Sequence, residues 1–159
     1  MDAVDILTRA IKLEEKGRKA YLQAAERCQD PETKQVFLTL AEDELHHHAY
    51  LERQINEFQA GRSWVAVPEL GTVSAIDAES PIFPTGKQAI DQLPADASEE
   101  DALLFGMGVE MKSYTLYHQS AKEVTNPEAN KMFNGLASAE RHHFDLLMMR
   151  YESQFGYPR

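Results

Sequence analysis

The chain contains an internal repeat, and this repeat constrains its fold more than any other feature of the sequence. A shift of 96 residues aligns Glu14–Leu51 with Glu110–Leu147 without a gap, and 14 of the 38 aligned positions are identical. The identical pairs include charged, aromatic and proline residues: Glu14/Glu110, Tyr21/Tyr117, Pro31/Pro127, Phe37/Phe133, Leu40/Leu136, Glu44/Glu140, His46/His142 and His47/His143. An ungapped match of this length predicts two copies of one structural unit.

Each copy is predicted to be a helical hairpin. Apolar residues recur at steps of three and four on both sides of a short turn, as the buried face of a helix requires. Asp30-Pro31 provides an N-cap and a proline at the first helical position, and Asn126-Pro127 repeats this arrangement in the second copy. The pattern predicts helices at about 3–28, 31–58, 98–125 and 128–154.

The segment between the hairpins, residues 59–97, is predicted to be a crossover. Its prolines and glycines exclude a long helix, although Gly86–Leu93 is a candidate for a short one. Helices of about 27 residues are about 40 Å long, and an extended linker of this length can run back along them. We therefore expect an all-α, four-helix bundle with one long crossover, and a single domain spanning residues 1–159.

Six polar residues lie on the helical stripes at positions where apolar residues are expected. They are one Glu in each of the first and third helices and one Glu-x-x-His in each of the second and fourth: Glu14, Glu44, His47, Glu110, Glu140 and His143. A buried carboxylate without a partner costs several kcal/mol or more, so four of them require positive charge in their midst. The stripes carry no Lys or Arg near these residues, whereas two divalent cations would balance four carboxylates. The sequence therefore predicts a site for two metal ions.

Other residues near this pattern are expected to have lesser roles. His46 and His142 point about 100° away from the adjacent candidate ligands, which favours the surface over contact with the site. His48 aligns with Phe144, which argues against a required metal role. Cys28 lies at the end of a predicted helix and is expected to be inert.

Composition excludes several classes of function. A net charge of −10 without clustered Lys and Arg argues against nucleic-acid binding. The chain contains no apolar run of the roughly 18 residues that a membrane span needs, and its acidic start does not resemble a secretory signal. With one cysteine it can form neither an internal disulfide nor a four-cysteine metal site. We therefore expect a cytoplasmic protein that binds neither nucleic acid nor membrane.

The two hairpins together resemble the rubrerythrin-like branch of the ferritin-like superfamily. In those proteins one Glu from each of two helices and one Glu-x-x-His from each of the other two bind a di-iron or related pair. The resemblance covers about 100 residues outside the crossover. It implies that Glu44 and Glu140 bridge the metals, that Glu14 and Glu110 are terminal ligands, and that each metal binds one imidazole, from His47 or His143.

The same resemblance places tyrosines near the metal pair, at positions that Tyr21 and Tyr117 occupy here. These side chains could donate hydrogen bonds to the ligand carboxylates or carry an electron, and simple core packing is the alternative. The sequence departs from rubrerythrins proper in two respects. It lacks the four cysteines of a rubredoxin-like domain, and it has Ser113 where the family has a second Glu one turn after the ligand of the third helix. We therefore expect a separate electron donor, and peroxidase activity of the full rubrerythrin type is not implied.

Carboxylate oxygens with some imidazole suit iron and manganese, and zinc is a further candidate. The first expectation is two iron ions in an oxidoreductase that reduces H₂O₂ or O₂ with electrons from a separate donor protein. One alternative is iron binding without turnover, including buffering or ferroxidase-type storage. A second alternative is manganese catalase-like activity. A homodimer is the expected assembly.

Overall fold

The computed structural model describes residues 2–67 and 92–156, and four helices make up most of this part of the chain. The helices are α1 (Ala3–Arg27), α2 (Pro31–Gln59), α3 (Glu99–Glu123) and α4 (Pro127–Phe155). Their ends lie within two residues of the predicted ones, and the described residues contain no strand, which confirms the all-α fold. The candidate helix at Gly86–Leu93 lies outside the described residues except for its last two positions. None of the described helices is both long and apolar enough to cross a membrane.

The starts of α2 and α4 form as the sequence predicts. The Asp30 side chain caps α2 by accepting the backbone N–H of Thr33 at 2.8 Å, and proline follows as the first helical residue. Asn126 caps α4 in the same way. Ser98 and Asp101 form a reciprocal capping box at the start of α3, and Asp2 caps α1. All four described helices therefore begin with side chains that satisfy backbone donors left without an intrahelical acceptor.

The helices are arranged in the order α1, α2, α4, α3 around the bundle. Each packs against its hairpin partner, α1 also packs against α3, and α2 packs against α4. Tyr21 of α1 contacts Glu110 of α3, whereas Tyr117 of α3 contacts Glu14 of α1. From the first contact to the second, the residue number falls from 21 to 14 on α1 and rises from 110 to 117 on α3. The two helices are therefore antiparallel.

This orientation places the end of α2 and the start of α3 at opposite ends of the bundle. Beyond α2, the Gln54 side chain forms two hydrogen bonds with the backbone of Val65. At the other end, Arg27 donates a hydrogen bond to the carbonyl oxygen of Ala95. The described ends of the segment between the hairpins thus lie where a crossover along the bundle requires them.

The bundle interior consists of two apolar layers with polar residues between them. One layer surrounds Tyr21, Phe37 and Leu103, and the other surrounds Leu7 and Phe133. The candidate ligands lie near the middle of all four helices, between these layers. The fold therefore brings the polar positions of the four stripes to one level of the core.

Candidate metal centre

The structure brings all six predicted ligand residues together in the core. Each is at most 5% exposed to solvent, and each helix contributes at least one: Glu14 from α1, Glu44 and His47 from α2, Glu110 from α3, Glu140 and His143 from α4. A Glu-x-x-His segment puts both of its side chains on one helical face, because positions three apart lie one turn apart. The repeat therefore supplies two matching half-sites.

The six side chains form two overlapping groups of four. The first contains Glu14 and His47, the second contains Glu110 and His143, and in each group one ligand atom per residue lies within 4.8 Å of the others. Glu44 and Glu140 belong to both groups: Glu14/Glu44/His47/Glu140 and Glu44/Glu110/Glu140/His143. Two adjacent sites with two carboxylates in common are the arrangement that a pair of neighbouring cations requires.

Both imidazoles turn the same nitrogen toward the carboxylates. Nδ1 of His47 lies 3.0 Å from Oε1 of Glu140 and 3.5 Å from Oε1 of Glu14. Nδ1 of His143 lies 2.9 Å from Oε1 of Glu44. The two rings stack with their centroids 5.7 Å apart, so the two halves are close to equivalent on their inner side.

The donor set fits bound cations. Within the described residues, Oε2 of Glu14, Glu110 and Glu140 is buried and accepts no hydrogen bond, although that of Glu140 lies 3.2 Å from Nδ1 of His143. A buried polar atom left unsatisfied is destabilising by about 1–3 kcal/mol. In the part of the chain that the structure describes, the two imidazoles are the only basic side chains that pair with the cluster carboxylates. Cations would use the free oxygens and offset the negative charge.

Without cations the cluster retains protons. Burial and the neighbouring charge of Glu140 raise the pKa of Glu110 to about 8. Burial alone would lower the pKa of His47, but the charge of Glu14 and hydrogen bonds with Glu14 and Glu140 outweigh it and raise the pKa to about 10. The pKa of His143 is raised for the same reason, with Glu110 as the main source. Cation binding would therefore displace protons from the site.

The two repeated tyrosines contact carboxylates of the candidate centre. The hydroxyl of Tyr21 donates to Oε1 of Glu110, and that of Tyr117 donates to Oε1 of Glu14, each at 2.5 Å. Burial, reinforced by these carboxylates, raises the pKa of both hydroxyls well above the ordinary value. They are therefore protonated donors that hold Glu110 and Glu14 in place.

Two residues that shape this site, Gly106 and Asp43, were not predicted from the sequence. A Cβ at Gly106 would lie 2.9 Å from the ring of Tyr21 and 3.0 Å from Leu147, so glycine lets Tyr21 approach α3. Oδ2 of Asp43 lies 3.0 Å from Nε2 of His143. The repeat did not reveal Asp43, because the aligned position is Ala139.

The remaining histidines and the cysteine lie outside the cluster. His46 and His142 are exposed, as predicted, and Nε2 of His48 lies 3.0 Å from Glu15. Cys28 is buried at the end of α1, and its thiol donates to Glu99. Burial and the contact with Glu99 raise the pKa of the thiol to about 11, so it is protonated near neutral pH.

The bundle and its buried cluster define a class: ferritin-like four-helix proteins with a binuclear metal site. A sequence profile of the Rubrerythrin family matches residues 5–151. The structure is similar to a crystal structure from Thermotoga maritima that is described as a ferritin-like diiron-carboxylate protein, with a TM-score of 0.67 and 25% sequence identity over 97% of this chain and 96% of that one. No curated protein matches the sequence. The chain belongs to the rubrerythrin family, as the resemblance implied.

Proposed function

We propose that the chain is a di-iron oxidoreductase that reduces H₂O₂ or O₂ with electrons from a separate donor protein. The observation that carries this proposal is the membership of Glu44 and Glu140 in both ligand groups. Shared carboxylates would hold two cations next to each other, and a bound pair of redox metals would supply two electrons in one encounter with the oxidant. The conversion of H₂O₂ to two water molecules consumes two electrons and two protons, which matches the capacity of such a pair.

In this proposal each cation has its own carboxylate and imidazole in addition to the two shared carboxylates. Glu14 and His47 would hold one cation, and Glu110 and His143, which belong to the second ligand group, would hold the other. Four carboxylates balance the charge of two divalent ions. Oxygen-rich sites with some imidazole suit iron and manganese, and iron is our first choice because it supports reduction of both oxidants.

The surrounding side chains favour a small oxidant and hold the ligands in position. The centre is buried between two apolar layers, so it suits a molecule the size of H₂O₂ or O₂ better than a larger substrate. Tyr21 and Tyr117 each hold one carboxylate by a hydrogen bond. Such support limits the movement of Glu110 and Glu14 when the charge of the centre changes.

The test is the reaction of iron-loaded protein with H₂O₂. Metal-free protein is loaded anaerobically with two equivalents of Fe(II), and ferric absorbance is followed after H₂O₂ is added. We expect faster oxidation than for free Fe(II) in the same buffer, and recovery of the Fe(II) state when an electron donor is supplied. Glu140→Gln should lose this advantage, whereas Glu26→Gln, an exposed position on α1, should keep it. Oxidation no faster than that of free iron would refute the proposal.

The same donor set leaves two other functions to be distinguished. Iron binding without turnover predicts oxidation that no donor reverses, and storage further predicts a shell of many subunits instead of a homodimer, so native mass separates these cases. Manganese catalase-like activity predicts O₂ release from H₂O₂ by Mn-loaded protein without an external donor. A donor-dependent reaction of the iron form, with little O₂ release, supports the oxidoreductase.

A further inference from the structure

The two histidines of the cluster differ on their outer side. Nδ1 of each ring faces the carboxylates, but among residues 2–67 and 92–156 only the ring of His143 has a second partner: its Nε2 lies 3.0 Å from Oδ2 of Asp43. Within the described residues, no protein group forms a hydrogen bond with Nε2 of His47. The repeat explains the difference, because Ala139 occupies the position in α4 that Asp43 occupies in α2.

A carboxylate on the outer nitrogen changes what the inner nitrogen can do. A neutral imidazole carries one N–H, and the hydrogen bond of one nitrogen decides which nitrogen carries the proton. An acceptor at Nε2 keeps the hydrogen there, leaves the lone pair of Nδ1 free for a cation, and makes that nitrogen more basic. His143 is therefore oriented and polarised as a ligand, whereas His47 lacks such a partner.

The location of Asp43 suits this role. His143 is buried, whereas the side chain of Asp43 is 45% exposed, so this carboxylate reaches the buried ring from the edge of the bundle. A partly exposed residue can be replaced without opening a cavity in the core. Ala139, the residue that aligns with Asp43 in the repeat, is likewise only partly buried, so an Asp can be introduced there as the reverse variant.

We propose that Asp43 is a positioning residue that makes the two metal subsites unequal. The subsite of Glu110 and His143 binds its cation more tightly and fills before the subsite of Glu14 and His47. This inference rests on the proposed two-cation centre and is independent of the proposed reaction with peroxide or dioxygen.

The test is a calorimetric titration of metal-free protein with Co(II), together with proton NMR of the Co(II)-loaded form. The parent should show two binding steps. Asp43→Ala should weaken the tighter step by about 10–100-fold, the usual effect of losing such a partner, and leave the weaker step unchanged. Asp43→Asn should recover most of the affinity, since its amide oxygen can still accept the Nε2–H. In NMR, Asp43→Ala should speed the solvent exchange of one shifted imidazole N–H.

The reverse variant, Ala139→Asp, is expected to tighten metal binding, which damage to the fold would not do. Ala139→Asp should supply His47 with the missing acceptor, so that the weaker step tightens and the two constants converge. Equal weakening of both steps by Asp43→Ala, or no change in either, would overturn the inference. Two unequal steps that respond as described would support it even if the iron form did not react with H₂O₂, and a failure to bind two ions would overturn the proposed centre as well.

Discussion

The buried carboxylates should make the stability of this protein depend strongly on metal. At a free metal concentration 100 times the dissociation constant, each bound ion stabilises the folded state by about 2.7 kcal/mol. Two independent ions would contribute about 5 kcal/mol in total. For a chain of 159 residues, where 1 kcal/mol shifts the melting temperature by about 2–4 °C, we expect a rise of about 10–20 °C.

Glu140→Gln is the informative variant, because Glu140 belongs to both ligand groups. In the presence of metal, we expect it to lose more than half of the rise in melting temperature. In the absence of metal, it should melt no lower than the parent. The substitution removes one buried charge, and the amide oxygen can still accept from His47. The amide nitrogen replaces Oε2, which accepts no hydrogen bond from the described residues although it lies 3.2 Å from Nδ1 of His143.

The assay is differential scanning calorimetry of chelator-treated protein, before and after Mn(II), a redox-stable stand-in for iron, is added. Glu26→Gln is the matched control, because this exposed residue of α1 lies outside the cluster and should show the full metal response. A Glu140→Gln variant with the full rise, or a parent that shifts by less than about 2 °C at saturating metal, would refute the reasoning.

Three further predictions concern the stability of the fold. Gly106→Ala should destabilise the protein in urea by about 1–3 kcal/mol, because the new Cβ would overlap the buried ring of Tyr21 and Leu147; stability equal to the parent's would show that the ring can move. Hydrogen bonds, including one from the backbone of Gln29, outweigh burial and lower the pKa of Glu99. The contribution of Glu99 to the free energy of unfolding is therefore present above its ordinary pKa of 4.5. It is lost as the pH falls through the lowered pKa of the folded state. Glu99→Gln should therefore reduce the loss of stability at acidic pH, measured as the free energy of unfolding against pH. Asn126→Ala should cost about 1 kcal/mol in the same urea assay, since it removes the cap of α4, and an unchanged midpoint would contradict this.

The sequence by itself determined the helices, the caps of α2 and α4, and the six residues of the candidate centre. Stripes of apolar residues and cap-proline pairs act over a few residues, so they can be read without knowledge of the fold. Glu14 and its repeat partner Glu110 stood out because a charged residue on a buried stripe conflicts with its surroundings. The repeat strengthened the prediction, because the same charged residue occurs at the equivalent buried position of both hairpins.

Other contacts depend on how helices far apart in sequence are oriented. Tyr21 lies two turns after Glu14 on α1, but its hydroxyl donates to Glu110 of α3. The reason is that α1 and α3 are antiparallel, so the part of α1 beyond Glu14 lies beside Glu110. A spacing within one helix cannot show this. Likewise, nothing in the local sequence distinguishes Asp43 from the exposed acidic residues around it.

The structure therefore decided which groups contact the candidate ligands, while the sequence predicted the candidate ligands themselves. The positions of the candidate ligands follow from the period of a single helix, about 3.6 residues, so a short stretch of sequence is enough to predict them. Supporting contacts such as Asp43 with His143, 100 residues apart, follow from the rotation and register of one helix against another. That register results from the packing of the whole core and from no single segment of the chain.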